Sequence, residues 1–188
     1  MDQLRTLYLI FIGVIAIQRL SELYISKKNN DILKKCGALE FGKKHFLYMK
    51  IVHIFWLLSC FLGALKTSPP ESVPYYALIL FLIGQTLRYL AMIELGKRWT
   101  ANIMVLPGEA PIRKGIYKYI KHPNYLGVII EMATLPLLWE LYEISIIFSI
   151  LNLIILKVRI RDEELALISY NNYENQMKSQ KRFLPGLF

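Results

Sequence analysis

Four stretches of the chain, at 4–20, 46–65, 75–95 and 126–156, are almost continuously apolar. About 20 such residues cross the hydrocarbon core of a bilayer as a helix, so the pattern predicts membrane-spanning helices rather than the one-sided faces of a soluble domain. The fourth stretch is too long for a single crossing. Pro136 and the polar cluster Glu140-Leu141-Tyr142-Glu143 divide it into 126–139 and 144–156, each short for a full span, which predicts a short helical hairpin. The expected fold is therefore all-α and integral to a membrane, with about five transmembrane helices, the last two being that hairpin. Beyond it, Leu167, Ile168, Tyr170 and Tyr173 recur among polar residues over 165–178 and predict an amphipathic helix lying at the interface.

Composition agrees. Hydrophobic residues make up 55% of the 188 positions, and the mean hydropathy is positive, outside the range of an ordinary soluble domain. The formal charge of +9 is unevenly placed. Lys27, Lys28, Lys34, Lys35, Lys43 and Lys44 lie between the first two spans, and Lys97, Arg98, Arg113, Lys114, Lys118 and Lys121 between the third and fourth. Lys157, Arg159, Arg161, Lys178, Lys181 and Arg182 follow the hairpin, whereas the opposite side carries only Arg5 and Lys66. The positive-inside rule then gives a multi-pass cell-membrane protein with its N-terminus outside and its C-terminus inside. A basic face toward anionic membrane lipids accounts for the charge without nucleic acid. Residues 1–19 read as a retained span, because Arg5 is the only basic residue ahead of the apolar run and no small-x-small cleavage site follows. Cys36 and Cys60 fall in a loop and a span, and His45, His53 and His122 are scattered, so neither a disulfide nor metal catalysis is expected.

Candidate chemistry gathers in three polar segments on the cytoplasmic side, at 96–125, 159–164 and 181–185. A hairpin that folds back on the third span brings them together. Pro123 suits the first turn of a helix and keeps His122 just ahead of it, where free amide hydrogens and the positive end of the dipole favour an anionic group such as a carboxylate. Tyr117, Tyr119 and Tyr125 offer faces to a cationic ligand such as a sulfonium; an interfacial aromatic belt is the plainer alternative. Arg159 and Glu163 share a helix face at i, i+4 and form either an ordinary ion pair or a functional couple. In the couple, the arginine holds an acidic oxygen of the substrate and Glu163 accepts from a cofactor ammonium or hydroxyl. Glu164 is expected to face elsewhere and to matter less. Arg88 and Glu131 lie at matching depths inside spans and are expected to pair across the bundle. Glu94, near the boundary, is given no special role.

The combined pattern Gly115-x-Tyr117-x4-His122-Pro123-x-Tyr125-x-Gly127, a long apolar run, Arg159-x3-Glu163-Glu164 and Arg182-x-x-Pro185 resembles the isoprenylcysteine carboxyl methyltransferase family over residues 96–188. That resemblance implies an S-adenosylmethionine pocket facing the cytoplasm with a lateral opening for a lipid. It implies cofactor contacts from Asn102, from Glu109, Ala110, Pro111 and Ile112, from Tyr117, from His122, Pro123, Asn124 and Tyr125, and from Glu163, with Arg159 toward the substrate as the catalytic residue. Members often carry glutamine at the position of Asn102, histidine at that of Glu109 and arginine at that of Lys121; the last change keeps the charge without the bidentate fork. The chain then divides into three transmembrane helices with a basic loop (1–95) and a catalytic region (96–188). The implied reaction is in-line transfer of a methyl group to a carboxylate or acidic hydroxyl of a lipophilic small molecule or prenylated substrate, isoprenylcysteine-like or alkylpyrone-like. Positioning carries the catalysis, and no general base is assigned. Two other readings stand beside it. His122-Pro-Asn-Tyr125 and the tail also resemble membrane sterol reductases that use NADPH, and a non-enzymatic scaffold whose basic loops bind lipid needs none of these side chains.

Overall fold

The computed structural model describes residues 2–171, 173, 177 and 180–183. Five helices form it: α1 (Asp2–Lys35), α2 (Lys43–Lys66), α3 (Tyr75–Leu95), α4 (Pro123–Leu137) and α5 (Tyr142–Tyr170). Three helices, α1, α2 and α3, are long and apolar enough to cross a membrane, and large apolar side chains such as Leu7, Ile17, Phe55, Ile79 and Ile93 are exposed around them. On an isolated soluble domain such a surface would be unstable; facing lipid it is what the bilayer requires. This is a membrane protein.

The helix ends follow local chemistry. Gly42, left-handed at φ 61°, turns the chain into α2, and Gly96 at φ 53° ends α3. Pro123 occupies the first turn of α4. Near its other end Pro136 lacks the N–H that would continue the ladder, and a tight turn through Glu140, at φ 54°, leads into α5. The Ser145 hydroxyl donates to the Ala133 carbonyl at 2.6 Å, tying the start of α5 to the end of α4.

α1 extends past the expected 4–20 because its second half is a polar helix bound to the 96–106 loop. Ser26 Oγ accepts from the Ala101 amide at 2.8 Å, and Asn29 Nδ2 donates to the Trp99 carbonyl at 2.7 Å. α5 likewise runs on without a break to Tyr170, so residues 165–170 belong to it rather than to a separate interfacial helix; the rest of that predicted element lies mostly outside the described residues, as do Lys178 and Pro185. A short antiparallel ribbon departs from the all-α expectation: β1 (Leu39–Phe41) pairs with β2 (Ile103–Val105), Glu40 opposite Met104.

Near its far end the bundle is closed by Tyr8 stacked on Trp139 at 5.0 Å, with the Tyr8 hydroxyl donating to the Leu135 carbonyl at 2.9 Å. Midway, α3 and α4 touch backbone to backbone. A Cβ on Gly127 would come within 2.6 Å of the Gly84 carbonyl oxygen and 2.5 Å of Arg88 Cγ, so glycine sets this approach.

The approach brings Arg88 to Glu131. Their Nη1–Oε2 distance is 2.9 Å, as the matching depths predict. The other half of the cluster is not signalled by depth within an apolar run. Arg19 reaches Glu22 at 3.1 Å and also touches Glu131, while Arg88 touches Glu22, so each carboxylate lies between two guanidinium groups. Gln18 and Gln85 complete the ring, with Gln18 Nε2 2.9 Å from both Glu22 Oε1 and Gln85 Oε1.

Candidate functional site

A cavity of about 530 Å³ opens among all five helices at the loop-bearing end of the bundle. Its roof is polar and aromatic, and its floor runs down between α1 and α2 past Leu20, Leu23, Ile54 and Leu57. Leu20 and Ile54 are 66% and 63% exposed, so this apolar floor reaches the outer surface of α1 and α2.

The roof is built where the chain returns on itself. Gly115, left-handed at φ 51°, packs so tightly on Glu94 that a Cβ there would overlap its carboxylate; Glu94 thus seats the turn that leads to Tyr117, and Lys114 Nζ lies 3.8 Å from it. The tail docks on the next residues. The Lys121 amide donates to the Lys181 carbonyl at 2.8 Å and the His122 amide to the Arg182 carbonyl at 3.1 Å. This staple holds His122 just before α4, as its position ahead of Pro123 predicts.

Side chains from α4, α5 and the tail then meet. The Tyr125 hydroxyl donates to Glu163, the Tyr125 and His122 rings stack at 5.4 Å, and the Arg159 guanidinium lies 5.7 Å over the Tyr125 ring. Arg159, only 2% exposed, donates from Nη2 to the Ala101 carbonyl at 2.7 Å. It makes no ion pair with Glu163 among the described residues, so the i, i+4 spacing places both on the cavity without joining them. Arg159 Nε and Nη1, Asn124 Oδ1 and Asn171 Oδ1 are buried with no hydrogen-bond partner among the described residues.

Glu164 is not the bystander expected from the sequence. It points to the other side of His122, whose Nε2 lies 3.1 Å from Oε1, and it receives Arg182 Nη2 at 2.6 Å. Because the carboxylate only accepts, Nε2 carries the proton of that bond. Burial pushes the Glu164 carboxyl up, but the bonds from His122 and Arg182 outweigh it and hold the group down at about 2. At Tyr117, burial first and the Glu163 charge second push the phenol well above its ordinary range, so it stands as a neutral donor on the wall.

Other predicted residues are placed more loosely. Asn102 lines the cavity, but Glu40 accepts from its Nδ2 and Asn30 donates to its Oδ1, both at 2.8 Å. Burial raises the Glu40 carboxyl, and the bonds from Lys34 and Asn102 more than reverse this. Pro111 and Ile112 are on the wall, whereas Glu109, Ala110 and Pro123 are not. Glu109 pairs outward with Arg98 at 3.0 Å, and the Ala110 carbonyl accepts from the same arginine at 3.1 Å.

The family model of the isoprenylcysteine carboxyl methyltransferase family matches residues 77–169, which spans α3, the turn over Glu94, α4 and nearly all of α5. The uncharacterized protein YpbQ of Bacillus subtilis is 36% identical over 166 residues, covering 88% of this chain and 99% of its own. Protein-S-isoprenylcysteine O-methyltransferase of Dictyostelium discoideum is 30% identical over 139 residues, 71% of this chain and 56% of that protein. The enzyme of the same name from Schizosaccharomyces pombe is 27% identical over 113 residues, 58% and 48% respectively. The chain therefore corresponds to about half the length of the two relatives that carry an enzyme's name.

Proposed function

Because the chain belongs to the isoprenylcysteine carboxyl methyltransferase family, we propose that the cavity is the site of S-adenosylmethionine-dependent methyl transfer to a carboxylate or acidic hydroxyl of a lipophilic acceptor. The observation that carries this reading is a set of unsatisfied polar atoms bordering the cavity on α4, on α5 and just after it. Asn124 Oδ1 and Asn171 Oδ1 are acceptors without donors, while Arg159 Nε and Nη1 are donors without an acceptor. The amino acid and ribose of the cofactor carry the ammonium and hydroxyl donors that the first pair lacks. An acceptor oxyanion supplies what Arg159 lacks.

When bound, the cofactor supplies an activated methyl group on a sulfonium. Tyr117, His122, Asn124, Tyr125 and Glu163 would hold it, with ring faces and the Glu163 carboxylate favouring positive charge. Glu164 and Arg182 hold the His122 ring from behind, and Tyr125 is held by Glu163. Arg159 orients the attacking oxygen and stabilises its charge, and the buried walls keep water from the reactive carbon. The acceptor's tail lies in the channel lined by Leu20, Leu23, Ile54 and Leu57. In this reading Asn102, Pro111 and Ile112 border the cofactor, and Glu109, Ala110 and Pro123 act only by shaping the loop and the start of α4. The basic loops favour a site on the cytoplasmic side in this reading, with the N-terminus outside and α4 and α5 as a hairpin returning to that side.

Calorimetric titration of the purified protein with S-adenosylmethionine and with NADPH tests the choice of cofactor. Saturable binding of the first alone is expected; binding of NADPH alone would turn the reading toward a reductase, and binding of neither toward a scaffold.

A further inference from the structure

Six lysine and arginine side chains border the cavity, Arg19, Lys50, Arg88, Arg98, Lys121 and Arg159, against two carboxylates, Glu22 and Glu163. Both carboxylates are engaged, Glu22 by Arg19 and Arg88 and Glu163 by Tyr125, and Arg98 pairs outward with Glu109. Lys50, Lys121 and Arg159 make no ion pair among the described residues, so the cavity carries an excess of positive charge. Lys121 and Arg159 belong to the roof. Lys50 stands apart from it, about 10 Å along α2 from the start of that helix, and α2 has no Asp or Glu with which to pair it. Its Nζ lies 4.7 Å from the centre of the Phe46 ring, one turn back toward the loops, a contact that replaces only part of the hydration an ammonium gives up in an apolar span. Ile54 and Leu57 follow Lys50 at i+4 and i+7 on one helix face, and all three border the cavity. Ile54 is exposed, so the ammonium sits one turn from the place where the apolar floor reaches the outer surface of α2.

We propose that Lys50 selects the lipid at the mouth of this channel: its ammonium takes the anionic oxygen of a one-chain lipid entering from the bilayer, and the chain seats between α1 and α2 against Leu20, Leu23, Ile54 and Leu57. One chain is the expected load, because the same cavity of about 530 Å³ also admits the cofactor. The proposal rests on the reading of this channel as the acceptor's path. Lys50 is then a specificity-determining residue and not a catalytic one. It favours charged lipids over neutral ones, because only an anion compensates the ammonium's lost hydration, and it leaves the transfer step to Arg159.

The test uses the full chain in phosphatidylcholine nanodiscs, whose lipid carries no net charge. Dibrominated stearate is the anionic probe and its methyl ester the neutral one. Bromine quenching of tryptophan reports entry, because Trp99 is on the cavity wall and only 4% exposed; Trp99→Phe should remove the saturable part of the signal. Lys50→Met keeps most of the stem without the charge, and Lys50→Arg keeps the charge. Stearate binding should weaken about tenfold in Lys50→Met and stay near the parent value in Lys50→Arg, while the ester binds the parent and Lys50→Met alike. In methyl transfer to a lipid extract of the native host, Lys50→Met should need more extract for half-maximal rate, with the maximal rate little changed. Equal stearate affinity in Lys50→Met and the parent, the result expected if the ammonium only reaches for phosphate head groups of the bilayer, would overturn the proposal. So would no saturable quenching in the parent, or an equal loss for acid and ester. Absence of S-adenosylmethionine binding with the stearate result intact would instead remove the methyltransferase reading and leave the lipid site standing.

Discussion

Two polar clusters lie within the same bundle, and they differ in whether their charges are paired with one another. In the first, Arg19, Glu22, Arg88 and Glu131 join α1, α3 and α4 as two cations and two anions, with both carboxylates bridging both arginines. In the second, Arg159, Asn124 and Asn171 line the cavity with buried atoms that have no partner among the described residues. In the first, every charge faces an opposite one and the pairs fasten helices where lipid offers no hydrogen bonds, although Arg19 Nε, Arg88 Nε and Glu131 Oε1 have no hydrogen-bond partner among the described residues. Arg159 has no carboxylate paired with it among the described residues, so the desolvation of its charge is left for an anion to compensate. The contrast is between charges that pair with one another and a charge left open to a ligand, although Arg19, Glu22 and Arg88 also border the cavity.

Breaking the closed ring should have the largest effect. Replacing Glu131, which is 0% exposed, by Ala leaves two arginines to share the single carboxylate of Glu22, and Arg88→Ala leaves two carboxylates to share Arg19 alone. Each should cost about 3–5 kcal/mol, seen as a large fall in the thermal midpoint in detergent, with loss of every activity. The same operation on the open cluster should separate chemistry from stability. Arg159→Ala is expected to lower kcat about 10²- to 10³-fold while the thermal midpoint moves far less than for Glu131→Ala. Glu163→Gln keeps an acceptor for the Tyr125 hydroxyl but removes the negative charge. It should weaken S-adenosylmethionine about tenfold, equivalent to about 1.4 kcal/mol, measured by calorimetry.

The smallest effect concerns the latch behind His122. The folded-state pKa of Glu164 lies below the ordinary 4.5, at about 2, so its contribution to stability is fully present above the ordinary value and is lost as pH falls through the folded one. Acidification between those two values should release the tail from His122, followed as rising protease sensitivity near Arg182. Glu164→Gln should show that sensitivity already at neutral pH and flatten its dependence on acid.

The two clusters also differ in how far the sequence revealed them. Arg88 and Glu131 stood out because charges deep in apolar runs need partners, whereas Arg19 and Glu22 sit at the edge of the first run and read as ordinary boundary residues. The spans at 46–65 and 75–95 fall within α2 (Lys43–Lys66) and on α3 (Tyr75–Leu95), since hydropathy is what fixes them. It is blind to the polar half of α1, which is ordered by Ser26, Asn29 and Asn30 bonding the 96–106 loop, and to the three-residue ribbon, which is too short to show a period. At the cavity, His122-Pro123 and the Arg159/Glu163 spacing located the meeting point of α4 and α5. Helical spacing said which face Glu164 leaves, but not that the tail waits there, because that contact depends on residues 121–122 pairing with 181–182. α2 carried no motif at all; only the fold brings it to the cavity.

On the proposed function, the open cluster moves a methyl group onto a lipid. Its most direct test is transfer of label from methyl-labelled S-adenosylmethionine into a lipid extract of the native host by the purified protein, beside Arg159→Ala. The expected result is one labelled lipophilic product that nearly disappears with Arg159→Ala; no labelled lipid from a folded parent protein, or equal labelling by the variant, would contradict it.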